Sequence, residues 1–193
     1  DLEALRDRIE RGDDVDGRIG EGWTPLMCAC DYGHHECAQA LIDAGAAVDM
    51  VDNNGYTALM EACLRGHREC AQALIDAGAA VDMVDDDGDT ALMRACNNGH
   101  RECAQTLIDA GAAVDMVNND GNTALMIAID CPSLDQILGE CVAEFDGYDN
   151  NDDDSEIDEE ELEQRNEERL QRRAERRLEE RRQGRAWCVQ ALL

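Results

Sequence analysis

The chain contains no lysine. All 17 of its basic residues are arginine, and they stand against 45 acidic ones, so the formal net charge is −28. Nucleic acids and anionic lipid surfaces need compensating positive charge, so a chain this acidic is a poor binder of either. Aromatics are nearly absent: Trp23, Tyr32, Tyr56, Phe145, Tyr148 and Trp187 are the whole set. A core must therefore be built from Ala, Leu, Ile, Val, Cys and Met. No run approaches 18 apolar residues, which excludes a membrane-spanning helix. Asp1–Arg11 is charged and amphipathic rather than apolar, so no signal peptide is expected there. No glycine-rich phosphate loop and no nucleophile–base pair stands out. The sequence therefore predicts a protein without enzymatic activity or cofactor, in the cytoplasm, with the nucleus also compatible.

What the chain has in abundance is repetition. Leu-Ile-Asp-Ala-Gly-Ala-Ala-Val-Asp-Met-Val begins at Leu41, Leu74 and Leu107, and Thr-x-Leu-Met begins at Thr24, Thr57, Thr90 and Thr123. Both recur every 33 residues, and residues 52–84 match residues 85–117 at 26 of 33 positions. Such a period means that each unit is one supersecondary element, unable to bury its apolar face without neighbours.

Thr24 is a good helix N-cap and Pro25 sits in the first turn, where proline is tolerated. Leu26, Ala29 and Cys30 follow at helical spacing, and Gly33 closes that helix. Cys37, Ala38, Leu41 and Ile42 form the stripe of a second helix that ends at Gly45. Asn54-Gly55 then signals a tight turn. Each unit reads as turn, short helix, turn, second helix and extended loop.

On Gly-x-Thr-Pro-Leu at Gly22–Leu26, Gly-His at Gly33, Gly66 and Gly99, and the Asp-Ala-Gly-Ala block, the chain resembles the ankyrin-repeat family. The resemblance covers about Leu2–Phe145. It implies an all-α repeat solenoid: a stack of helix-turn-helix units with β-turn fingers. One departure is plain: where the family usually has His after Thr-Pro-Leu, this chain has Met27, Met60, Met93 and Met126, which can pack there but cannot make that histidine's hydrogen bonds.

The units divide as 19–51, 52–84 and 85–117. Residues 1–18 form a partial N-terminal repeat or cap. There Arg8 takes the place of Leu41, which suits an end-of-array cap, while the lack of an initiating Met suggests a fragment of a longer chain. Residues 118–145 read as a divergent C-terminal capping repeat, with a second helix beginning at Ser133. Residues 146–162 carry ten acidic and no basic residues and read as a disordered acidic linker. Residues 163–185 read as an exposed Glu/Arg-rich helix. Its leucines at 162, 170 and 178 are eight apart, which does not support a heptad coiled coil. Residues 186–193 are a short apolar tail expected to fray or pack loosely, with anchoring to a partner as the other reading.

Cys30, Cys63, Cys96, Cys37, Cys70 and Cys103 recur at fixed places on inward helical faces, and free cysteine behaves as a small buried hydrophobe. They are read as reduced core residues, not as disulfides or metal ligands. His67-x-x-Cys70 and His100-x-x-Cys103 supply two potential ligands each, short of the four that zinc requires. Residues 150–161 match a calcium loop in their acidic positions, but Ser155 and Asn150 replace its glycine and leading Asp.

Comparing near-identical units indicates where partners bind. Residues 52–84 and 85–117 differ at Asn53/Asp86, Asn54/Asp87, Tyr56/Asp89, Glu61/Arg94, Leu64/Asn97, Arg65/Asn98 and Ala73/Thr106. Five of the seven fall at a turn tip or the end of a first helix, positions that the resemblance places on the concave, partner-contacting face. Trp23, Asp31, Tyr32, Asn53, Asn54, Tyr56, Leu64, Arg65, Asp86, Asp87, Asp89, Asn97 and Asn98 are the candidate contact residues. Trp23, Tyr32 and Tyr56 are expected to be exposed anchors near the first two units, with an acidic flank on the third. The sequence thus predicts a monomeric, non-enzymatic scaffold for a protein partner carrying a basic segment. The alternative is a targeting or regulatory region of a larger protein, with the acidic tail acting through calcium or through charge.

Overall fold

A computed structural model of the chain describes residues 2–129 and 159–193. The chain divides into two units, Asp1–Asp130 with Gly184–Leu193, and Cys131–Gln183. In the first unit the helices are α1 (Leu2–Glu10), α2 (Pro25–Asp31), α3 (His35–Asp43), α4 (Ala58–Arg65), α5 (Arg68–Asp76), α6 (Ala91–Asn98), α7 (Arg101–Asp109) and α8 (Ala124–Ile129). A ninth, α9, runs from Glu159 to Leu192. No strand is formed among the described residues; isolated bridges such as Val51–Thr57 and Val84–Thr90 close the base of each finger.

Each first helix starts where the sequence says it must. The hydroxyls of Thr24, Thr57, Thr90 and Thr123 accept the N–H groups of Met27, Met60, Met93 and Met126 at 3.2–3.3 Å. Each such cap contributes about 1 kcal/mol. In the first unit the methionine answers the cap, its sulfur accepting the Thr24 N–H at 3.4 Å. Met27 thus recovers part of the bonding that its replacement of histidine was expected to forgo. The second helices of the second and third units are tied to the preceding unit: Nε2 of His67 donates to the Asp31 carbonyl at 3.1 Å, and Nε2 of His100 to that of Leu64 at 3.0 Å.

The fingers lock into a row. Asp86 N donates to Asn54 O, and Asn119 N to Asp87 O, both at 3.0 Å. The approach is close enough that a Cβ on Gly55 would lie 2.9 Å from Asp85 Cα. Asp16, Asp49 and Asp82 accept the N–H groups of Ala47, Ala80 and Ala113 in the following unit, each at 2.9 Å. Part of the negative charge is therefore copied with the repeat as a unit-to-unit bond. The core is a column of Leu26, Leu59 and Leu92 with Met27, Met60 and Met93, backed by Leu41, Leu74 and Leu107 and filled by Ala and Cys. All eight described cysteines are free thiols.

The last unit departs from expectation. Its first helix is α8, while the second helix expected from Ser133, the acidic linker up to residue 158 and most of the calcium-like loop lie outside the described residues. The place of a second helix beside α6 and α7 is held by Gly184–Leu192, the end of α9. Two recurring contacts support the equivalence, and a close backbone approach accompanies them. The carbonyls of Asp31 and Leu64 accept from His67 and His100; the next in that 33-residue series, Asn97, accepts from Arg185 Nε at 2.8 Å. The thiol pairs Cys30–Cys70 and Cys63–Cys103 continue as Cys96–Cys188, where the partner thiol's hydrogen bond and burial keep Cys96 protonated. Gly184 lies against the Gly99 backbone, where a Cβ would overlap the carbonyl oxygen.

The sequences agree too: Gly184-Arg-Ala-Trp-Cys-Val-Gln-Ala-Leu-Leu193 matches residues 66–75 at five of ten positions. Residues 186–193 are thus not a fraying tail. Cys188 is fully buried, and Trp187, Val189 and Leu192 pack on the core. The apolar stripe finds the open face left beyond α6, and this offsets the tendency of a terminus to fray. In the second unit, Glu159–Gln183 is helical. Ala174 and Leu178 are buried, so one face of this charged stretch is covered; Glu168 and Arg172 form an i, i+4 ion pair at 3.1 Å.

Candidate functional site

The fingers and first helices meet in a pocket of about 400 Å³ lined by Asp52, Asn54, Tyr56, Glu61, Leu64, Arg65, Asp86 and Asp87. Two adjacent fingers form its walls and α4 its floor. The structure brings together six of the residues singled out by sequence: Asn54, Tyr56, Leu64, Arg65, Asp86 and Asp87. A wider groove along the second helices, of about 1090 Å³, is lined by residues such as Arg6, Glu36, Arg68 and Glu69. None of those four is buried.

The pocket differs from its neighbour one unit along. In the third unit, Asp85 accepts two backbone N–H groups, from Asp87 and Asp89, on one oxygen, and Arg94 on the other at 2.5 Å. Arg94 also reaches Asp87 at 3.1 Å and Asp89 at 3.3 Å, and lies over the Tyr56 ring at 5.0 Å. This cation is fully engaged: its side chain is 13 % exposed and that of Asp85 wholly buried. In the second unit Asp52 makes the same turn, accepting from Asn54 N and Tyr56 N at 2.9 Å. The residue matching Arg94 is Glu61, so a second carboxylate stands where the third unit places a guanidinium.

Glu61 is only 5 % exposed. Among the described residues, no hydrogen bond or ion pair reaches its carboxylate. Burial, and then the charge of Asp31, push its pKa up to about 7, against the opposing pull of Arg65. Arg65 is itself held by Asp31 at 2.7 Å.

Several sequence expectations change here. Trp23 and Tyr56 are half-buried and packed against the core, because both stand where a finger turns into its helix. Tyr32 alone of the three expected anchors is well exposed, at 70 %, with its ring stacked near His34. Asn97 is exposed, but its carbonyl and Oδ1 both accept from Arg185. Asn98 donates to Arg94 O at 3.0 Å, and Asp89 accepts from Asn118 at 2.7 Å. Asn53 N donates to Glu21 O, although the residue itself is exposed. Two residues lining the pocket are not among those singled out by sequence: Glu61 and Asp52. The Glu61/Arg94 reversal was visible in the comparison of units, but mid-helix, away from the tips where contacts were sought.

The sequence model described as "Ankyrin repeats (3 copies)" matches residues 1–85 and 77–142. The chain belongs to the ankyrin-repeat family. No curated protein matches it. Ankyrin repeats are generally protein–protein interaction modules and typically lack enzymatic activity. No group of three or more potential metal ligands exists among the described residues of this ankyrin array. None of its described helices is long and apolar enough to cross a membrane.

Proposed function

We propose that this ankyrin array is a non-enzymatic, monomeric scaffold that holds a protein partner on the face made by its fingers and first helices. The observation that carries the reading is the contrast between an invariant frame and a variable face. Capping threonines, unit-to-unit aspartates and core leucines repeat with little change, while finger tips and first-helix ends differ between otherwise near-identical units. The pocket floored by α4 lies among the varied positions. Four carboxylates against one guanidinium favour a partner segment of positive charge, steering its approach at low salt. Tyr32, exposed on the first unit, extends the contact toward the N-terminal end.

Cross-linking capture from the native cell tests this, comparing the full chain with a variant carrying Tyr32→Ala, Asn54→Ala, Leu64→Ala and Asp86→Ala. The expected result is loss of a specific protein from the captured set with helicity retained. Recovery of the same proteins by both chains would remove this face as the binding site.

A further inference from the structure

The second and third units share a buried finger-base aspartate and differ in the residue that faces it. In the third, a buried aspartate at the finger base faces Arg94, which the protein supplies itself. In the second, Asp52 at the finger base faces Glu61, and Arg65, which also lines the pocket, bonds Asp31 on the preceding unit. We infer that this slot, bounded by Asp52, Tyr56, Glu61, Leu64, Asp86 and Asp87, receives the guanidinium of an arginine side chain from the bound partner. The inference rests on the scaffold reading above and names the chemistry of its central contact.

Burial of Glu61 disfavours its charged form, yet among the described residues no side-chain oxygen is both fully buried and unpartnered, so its carboxylate keeps an opening to the pocket. Glu61 lines the pocket, so it stands available to a ligand entering from the finger side. The third unit shows what completes such a set: a planar fork bonding the finger-base aspartate and two further carboxylates of its own finger, and lying on Tyr56 of the preceding finger. A guanidinium matches paired carboxylates in that way, and an ammonium does not. The first unit carries Cys28 at the corresponding position and the fourth Ile127, so the acidic slot occurs once in the array. Of the two internal arginines nearby, Arg65 is held by Asp31 and Arg94 by three aspartates.

The test uses the full chain and a five-residue peptide, blocked at both ends, with a central arginine between glycines. Its counterpart carries citrulline, which keeps the shape and loses the charge. Amide chemical shifts are followed during titration at low salt. The arginine peptide is expected to produce saturable shifts confined to residues 52–65 and 86–87, and the citrulline peptide none. Glu61→Arg places the missing cation inside the slot, facing Asp52. It is expected to abolish the response while keeping or raising the unfolding temperature. Glu61→Gln is expected to weaken binding at least tenfold.

Equal response to both peptides, shifts spread along all the fingers, or undiminished binding by Glu61→Arg and Glu61→Gln would overturn the inference. If the slot fails these tests while the four-residue face variant still loses its captured protein, the scaffold reading stands and only the arginine contact is lost.

Discussion

Glu61 links stability to pH in a direction opposite to that of most surface carboxylates. Its ordinary pKa is 4.5, and in the folded array it rises to about 7 because the carboxyl is buried and faces the charge of Asp31. Below pH 4.5 the group is protonated in both folded and unfolded chains and contributes nothing to the balance. Between pH 4.5 and 7 the unfolded chain gives up the proton while the folded chain keeps it, so stability falls as pH rises. Above 7 the full penalty applies. At 1.36 kcal/mol per pH unit, a rise from 4.5 to about 7 corresponds to about 3 kcal/mol. Glu61→Gln keeps the shape and removes the ionisation. It is therefore expected to leave stability at pH 4.5 nearly unchanged and to raise it at pH 8 by about 1–3 kcal/mol. Urea unfolding of both chains, followed by helical circular dichroism across that range, measures the difference. A gap between the two chains that stays constant from pH 4.5 to 8 would refute the reasoning, because it would mean that Glu61 titrates alike in both states.

Other perturbations separate the parts of the array. Arg94→Leu strands the buried Asp85 without its cation and is expected to cost about 3–5 kcal/mol in urea unfolding; a loss below 1 kcal/mol would mean the pair is solvated. Leu74→Ala removes a fully buried leucine between units and is expected to cost about 2–5 kcal/mol by the same measurement. Gly184→Val forces a side chain into the Gly99 backbone. It should speed hydrogen exchange in α6 and α8 while leaving α2 and α3 protected, since units of a linear array touch only their neighbours. Unchanged exchange in α6 and α8 would place the C-terminal segment elsewhere.

The period, the caps and the inward leucines were all legible because each is written three or four times, and repetition separates framework from accident. The closing helix was not, though its residues carry the same signature. Gly184, Cys188, Gln190, Ala191 and Leu192 stand in the right order but far out of register with the 33-residue period, so a search for a fixed spacing passes over them. Burial of Trp23 escaped for another reason. Whether an aromatic beside a turn points outward or lies back on the helices depends on backbone direction at the finger base, which no spacing rule encodes. The open slot at Glu61 required knowing that Arg94 reaches Asp85, a contact between residues nine apart that becomes meaningful only in three dimensions.

The split final unit has a kinetic consequence. In the regular units two or three residues join the first helix to the second, so both can form in one local event. In the last unit the 53 residues of Cys131–Gln183 separate the two halves. Closing a loop of that length from the unfolded chain costs about 3 kcal/mol more than closing one of two residues. The Arg185 and Cys188 contacts must overcome this before the helix can seat. That rung should then be the last to assemble and the first to open, and anything that grips the intervening residues gains leverage on the end of the stack.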